Sequence, residues 1–142
     1  MLKNSLFPYF DSAYQGFASG DIEQDAWAIR YFVSLGFQML VSQSYAKNMG
    51  LYGERIGALH IITANTETKN KVLSQVKDLV RASYSSPPLH GARIAERILN
   101  NKENLQAWKD ELKAVAERTL VMRKTLRKAL EDLKTPGMLN IM

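Results

Sequence analysis

The chain has 142 residues, a charged fraction of 23%, an apolar fraction of 46% and a formal net charge of +5. That composition belongs to one globular domain and not to a disordered chain. It has no apolar run long enough to span a membrane and no cysteine, which removes disulfides, zinc–thiolate sites and a thiol nucleophile.

The positive charges are interleaved with acids, which fits a solvated surface better than a nucleic-acid face. The first eight residues carry no apolar signal core and no cleavage site. Residues 6–11, Leu-Phe-Pro-Tyr-Phe-Asp, are predicted as a short strand ending in a carboxylate. Ser12 to Gly20 is small, polar and glycine-containing, hence loop. Asp21 suits a helix N-cap, with Glu23 and Asp25 in a first turn that favours anions. Ile22, Ala26, Ala28, Ile29, Phe32 and Val33 give one helical apolar face that stops near Gly36.

Phe37 to Ser42 is predicted as a buried strand, Gln43 to Arg55 as a polar loop, and Ile56 to Thr63 as a second strand. A polar turn between them suggests antiparallel pairing. Glu67 to Tyr84 forms a helix ended by Ser85-Ser86-Pro87-Pro88, and Leu89 to Leu99 another, ended at Asn100-Asn101. Residues 102–134 form the most regular element. Leu105, Trp108, Leu112, Val115, Thr119, Met122, Leu126, Ala129 and Leu133 alternate three and four apart, a heptad seam. At about 1.5 Å per residue this helix runs roughly 45 Å. Thr135-Pro136-Gly137 ends it, leaving an apolar tail, Met138 to Met142, without an assigned role. The element order is α/β. So few strands leave apolar edges unpaired, which points to neighbouring strands from elsewhere.

The chemistry concentrates in Ser44-Tyr45-Ala46-Lys47-Asn48-Met49-Gly50-Leu51-Tyr52-Gly53-Glu54-Arg55-Ile56-Gly57. A lysine in a loop just after a buried strand can be desolvated, which favours the neutral, nucleophilic amine. Amines condense with carbonyl compounds. Ser44 and Arg55 flank it, and a hydroxyl with a guanidinium suits a phosphate. Ser44-x-x-Lys47 also fits the Ser-x-x-Lys pattern of penicillin-binding enzymes, but neither Ser-Asp-Asn nor Lys-Thr-Gly follows. His60 and His90 lack ligand neighbours at metal spacing and read as packing or surface residues. Trp27 and Trp108 read as core or interface residues.

The lysine segment resembles the lysine loop of the aspartate aminotransferase family, class I pyridoxal-phosphate-dependent enzymes of fold-type I. Phe10-Asp11-Ser12-Ala13-Tyr14-Gln15-Gly16-Phe17 resembles that family's upstream motif. Arg81 with Tyr84-Ser85-Ser86-Pro87-Pro88 resembles its downstream motif, with Ser86 where the family usually has asparagine. The likeness runs from about Leu6 to Lys134. It implies a three-layer α/β/α architecture, with residues 1–142 part of the cofactor-binding large domain and 102–134 the long helix leading toward a small domain. It implies that Lys47 forms a Schiff base with pyridoxal 5'-phosphate and later moves the substrate's α-proton. Asp11 would face the pyridine nitrogen and Tyr14 the phenolic oxygen, with Ser44 and Arg55 on the phosphate. Arg81 would bind a dicarboxylic substrate across a homodimer interface.

The reaction implied is L-aspartate with 2-oxoglutarate giving oxaloacetate and L-glutamate, on small dicarboxylic amino acids and 2-oxo acids, with neither nucleic acid nor membrane as partner. The family's glycine-rich phosphate loop, its stacking aromatic ring and its α-carboxylate arginine have no counterpart here, so the chain is expected to be inactive alone. The alternative is a non-catalytic helical interaction module, or an oligomerisation partner of a full-length aminotransferase. A cytoplasmic location is expected, with a mitochondrial one as the alternative.

Overall fold

A computed structural model describes residues 6–136. Gly137 and the apolar tail Met138 to Met142 lie outside the described residues. Strand β1, Tyr9–Ser12, is followed by two short helices, α1, Ile22–Asp25, and α2, Trp27–Ser34. Strands β2, Met39–Ser44, and β3, Gly57–Ile62, come next, then helices α3, Thr66–Ser83, α4, His90–Asn100, and α5, Lys102–Asp132.

The three strands form one sheet in the order β1-β2-β3. β1 runs parallel to β2, pairing Asp11 with Ser42, and β2 runs antiparallel to β3, pairing Ser44 with Gly57. The antiparallel pairing of the last two strands is the one expected from their polar connection. β1 starts later than predicted because Pro8 has no amide proton to give, although its carbonyl still accepts from Leu40 at 3.1 Å. β2 likewise extends to Ser44, past the predicted loop start at Gln43.

The alternation of strand side chains divides the sheet into two faces. Phe10, Met39, Val41, Gln43 and His60 share one. Met39 is fully buried there, and Phe10 meets Phe32 of α2 edge-on at 5.2 Å, with Phe37 5.1 Å beyond. Tyr9, Asp11, Ser42, Ser44 and Leu59 share the other face, where Tyr9 and Leu59 are exposed. Among the described residues β1 and β3 are the outer strands and pair with no further strand, as the strand count implied.

The predicted helix after Asp21 is interrupted. Asp21 does cap it, accepting from the Glu23 amide at 2.7 Å, but Ala26 flattens to ψ 0° and separates α1 from α2. Trp27 is no core residue: it is 65% exposed and stacks flat on Tyr31 at 5.2 Å. Asn65 caps α3 by accepting from Thr68 at 2.8 Å, and Asn101 caps α5 by accepting from Asn104 at 2.9 Å. α5 ends at Asp132, two residues before the predicted end, because Lys134 adopts a left-handed φ of 52°. The heptad seam packs over half its length only. Leu112 is buried in the first half, with the off-seam Ala116, though Val115 there is exposed, and Met122, Leu126 and Leu133 are all exposed.

Candidate active site

Parallel strands that end together deliver their following loops to the same sheet edge, where ligands of α/β folds sit. β1 ends at Ser12 and β2 at Ser44, so the loops bearing Tyr14 and Lys47 emerge side by side. α5 closes over both. Its Leu112 fills the space beside Gly16, and its Trp108 indole N–H donates to the Asn48 carbonyl at 2.6 Å.

Asp11, Ser44 and Arg55 line one hollow of about 160 Å³, together with Ser42, Ala46, Ile56 and Gly57. Asp11 also lines the adjoining hollow with Tyr14, Gln15 and Asp25. A carboxylate, a hydroxyl and a guanidinium thus face one space. Arg55 sits at a left-handed φ of 50°, uncommon outside glycine, and its Nη1 donates to the Tyr52 carbonyl at 3.4 Å. The Ser44 hydroxyl accepts from the Ala46 amide at 3.2 Å, turning the chain toward Lys47.

Lys47 is half-buried, and its ammonium lies between two aromatic rings. Its Nζ is 5.0 Å from the Tyr52 ring centre and 5.7 Å from that of Tyr14. Lys47 lines neither of the two hollows above; it lines a third with Asn48, Trp108 and Leu112, and its neighbour Tyr14 lines the second. Of the six expected site residues, Asp11, Ser44 and Arg55 therefore share one hollow, Tyr14 shares the next with Asp11, and Lys47 adjoins Tyr14. Arg81, the sixth, is not among them. It is exposed in the last turn of α3 and lines neither hollow.

Several residues around this site were given no site role by sequence reading. Gln15 donates to the Ile22 carbonyl at 2.8 Å and accepts from Gln43 Nε2 at 2.7 Å, while Gln43 Oε1 pairs with His60 Nε2 at 3.0 Å. This chain of side chains fastens the Tyr14 loop to the sheet. Asp25 accepts from the amides of Gly16, Ala18 and Ser19 and from the Ser19 hydroxyl. Burial raises the Asp25 pKa, but those four donors outweigh it and hold the carboxyl below its ordinary range. Burial pushes the neighbouring Tyr45 phenol up. Only the spacing of Gln15 beside Tyr14 and of Asn48 beside Lys47 hinted at these roles.

Comparison with known proteins adds the following. The family model "Aminotransferase class I and II" matches residues 1–141, a span that includes most of the tail left unassigned by sequence reading. The cytoplasmic aspartate aminotransferase of Gallus gallus is 49% identical over 140 residues, covering 99% of this chain and 34% of that protein. Aspartate aminotransferase 3, chloroplastic, of Arabidopsis thaliana is 53% identical over 137 residues, 96% of this chain and 30% of that one. A solved structure described as an aromatic-amino-acid aminotransferase from Burkholderia pseudomallei, covalently bound to pyridoxal phosphate, superposes with a TM-score of 0.89. It is 40% identical, and the match covers 92% of this chain and 33% of that one. The chain thus spans about a third of the length of the curated relatives it matches.

Proposed function

The chain belongs to the class I and II aminotransferase family, and from that premise we propose that it carries pyridoxal 5'-phosphate on Lys47 and serves amino transfer between L-aspartate and 2-oxoglutarate. The observation that carries this reading is the donor set. Asp11, Ser44 and Arg55 face one hollow, Asp11 and Tyr14 share the adjoining one, and Lys47 stands beside Tyr14. A carboxylate, a hydroxyl and a guanidinium around one space fit a molecule with a basic ring nitrogen and a phosphate.

When bound, the cofactor supplies an aldehyde for covalent attachment and a ring that withdraws electrons. The Asp11 carboxylate would keep the ring nitrogen protonated by placing negative charge beside it. Arg55 and Ser44 would hold the phosphate, as a guanidinium and a hydroxyl suit that group. The Tyr14 hydroxyl would donate to the phenolic oxygen. The Lys47 amine would hold the cofactor, and its Nζ would take the substrate's α-proton as a general base. Arg81 would pair with the side-chain carboxylate of the substrate across a homodimer interface, which fits its place outside both hollows. A buried arginine–carboxylate pair rejects substrates that lack the charge.

In this reading residues 1–142 are part of the cofactor-binding large domain, and residues 102–134 lead toward a small domain. Asp11, Tyr14 and Arg55 are exposed, so water competes for every bond the cofactor makes, and turnover by this chain alone is not expected. The names of the relatives include both cytoplasmic and chloroplastic enzymes; we place this chain in the cytoplasm. Among the described residues no helix is long and apolar enough to cross a membrane.

The test is to mix the purified chain with pyridoxal 5'-phosphate, trap with borohydride and map the adduct by peptide mass spectrometry. The adduct is expected at Lys47 ahead of the surface lysines and absent from K47A. Uniform labelling of all lysines would remove the cofactor role.

The exposed distal seam of α5, with Leu126 61% and Leu133 77% exposed, favours a second reading, a helical module that pairs with a full-length aminotransferase subunit. Co-sedimentation with such a subunit supports it; a chain that sediments only as a monomer beside the subunit does not.

A further inference from the structure

Asn48 follows Lys47 directly and is 6% exposed. It is held from two directions. Its carbonyl accepts the Trp108 indole proton at 2.6 Å, and its Nδ2 donates to the Gln15 carbonyl at 3.2 Å. Its Oδ1 is buried without a partner. Turning the amide over would set Oδ1 against the Gln15 carbonyl, two acceptors facing each other, so the donor fixes the orientation. An asparagine that leaves one buried oxygen unpaired is there for its N–H group. Buried polar groups are otherwise nearly all paired.

Gln15 is itself fixed, to Ile22 and Gln43. Tyr14 and Lys47 are each one residue away from the Gln15–Asn48 bond, and their ring and ammonium lie 5.7 Å apart. Trp108 comes from α5, sixty residues along the chain from Asn48. The helix therefore grips the loop that carries the amine, while the asparagine grips the loop that carries the phenol.

We propose that Asn48 and Trp108 are positioning residues that set Lys47 against Tyr14, with α5 as the element that holds the amine in register. The geometry is independent of any cofactor; its catalytic meaning rests on the reading of Lys47 as the cofactor-bearing amine. A mere packing role for Trp108 would use its ring and leave the N–H free.

The test uses the whole chain, reductively methylated at its lysines with carbon-13 formaldehyde and read by proton–carbon correlation NMR, with K47R assigning the Lys47 methyl signal. The Tyr14 and Tyr52 rings are expected to move that signal upfield of the exposed lysines. In W108F and in N48A it is expected to return to the exposed-lysine position, with helicity by circular dichroism unchanged. A signal that stays shifted in both variants overturns the proposal. So does a wild-type signal with no upfield shift, or loss of helicity in both variants, which would make the pair structural. If W108F alone loses helicity, N48A decides, since it keeps the Trp108 bond and removes only the link to Gln15.

A second arm separates the two readings. With pyridoxal 5'-phosphate and borohydride, trapping at Lys47 should fall about tenfold or more in W108F. A shifted methyl signal in a wild type that traps no cofactor would sustain the positioning role and sink the cofactor reading.

Discussion

The Asp25 carboxylate and the Gly16 amide meet at 2.6 Å, so the last residue of α1 fixes the loop that begins at Tyr14. The amides of Ala18 and Ser19 and the Ser19 hydroxyl complete the grip. Burial opposes the charge, but the four donors prevail and hold the folded pKa below its ordinary value of 3.8. A carboxyl depressed on folding stabilises the fold above the unfolded value and loses that contribution as pH falls through the folded one. D25N should therefore cost about 1–2 kcal/mol at neutral pH, discounted for partial exposure. The gap from wild type should narrow steadily below about pH 4. Urea denaturation at a series of pH values measures it, and a gap unchanged in acid would contradict the assignment.

Gly16 carries a second constraint. Its φ is +95°, and a Cβ there would stand 2.2 Å from Leu112 Cδ2. G16A must both strain the backbone and displace the side chain that seats α5. It should cost about 2–4 kcal/mol. A near-wild-type denaturation midpoint would mean that α5 does not lie on this loop.

How far the sequence revealed all this depends on the range of each interaction. Asp21, Pro87, Pro88 and Asn101 act within a few residues, and each marks its boundary correctly. The pairing of β2 with β3 follows from a short polar connection. The Gln15–Gln43–His60 chain depends on strand register, which joins residues 28 and 17 positions apart and leaves no periodicity to read. Trp108 matched the heptad seam, and that match concealed its bond to Asn48. Asp25 looked like an ordinary first-turn acid until the flattening at Ala26 gave it a loop to close on. The lysine segment was legible because its spacing is local, whereas Tyr52 became visible only when the loop brought it over Lys47.

Arg55 offers a test that separates backbone from side chain. Its left-handed φ of 50° is easier for glycine. R55G should therefore keep stability within about 1 kcal/mol of wild type. If the guanidinium binds phosphate, the same variant should lose about tenfold in trapping of pyridoxal 5'-phosphate at Lys47, while trapping of pyridoxal, which lacks the phosphate, stays as in wild type. R55K should fall between them, since a point charge replaces a two-toothed grip. Equal losses for both aldehydes would assign Arg55 to loop structure instead.

The seam of α5 divides into a working half and an idle one within this chain. Leu112 is buried against the Gly16 loop, while Leu126, two heptads on, is exposed. Periodicity treats the two leucines alike; burial does not. L112A removes packed methyl groups and should cost about 2–4 kcal/mol. L126A removes none, and a surface change of that kind stays within about 0.5 kcal/mol. Should a subunit of the helical-module reading cover the distal seam, L126A would gain a cost that appears only in its presence, because a partner binding the folded state adds to apparent stability. Thermal melts of both variants, with and without that subunit, distinguish the cases. Equal losses for the two in the isolated chain would mean that the distal half is packed after all.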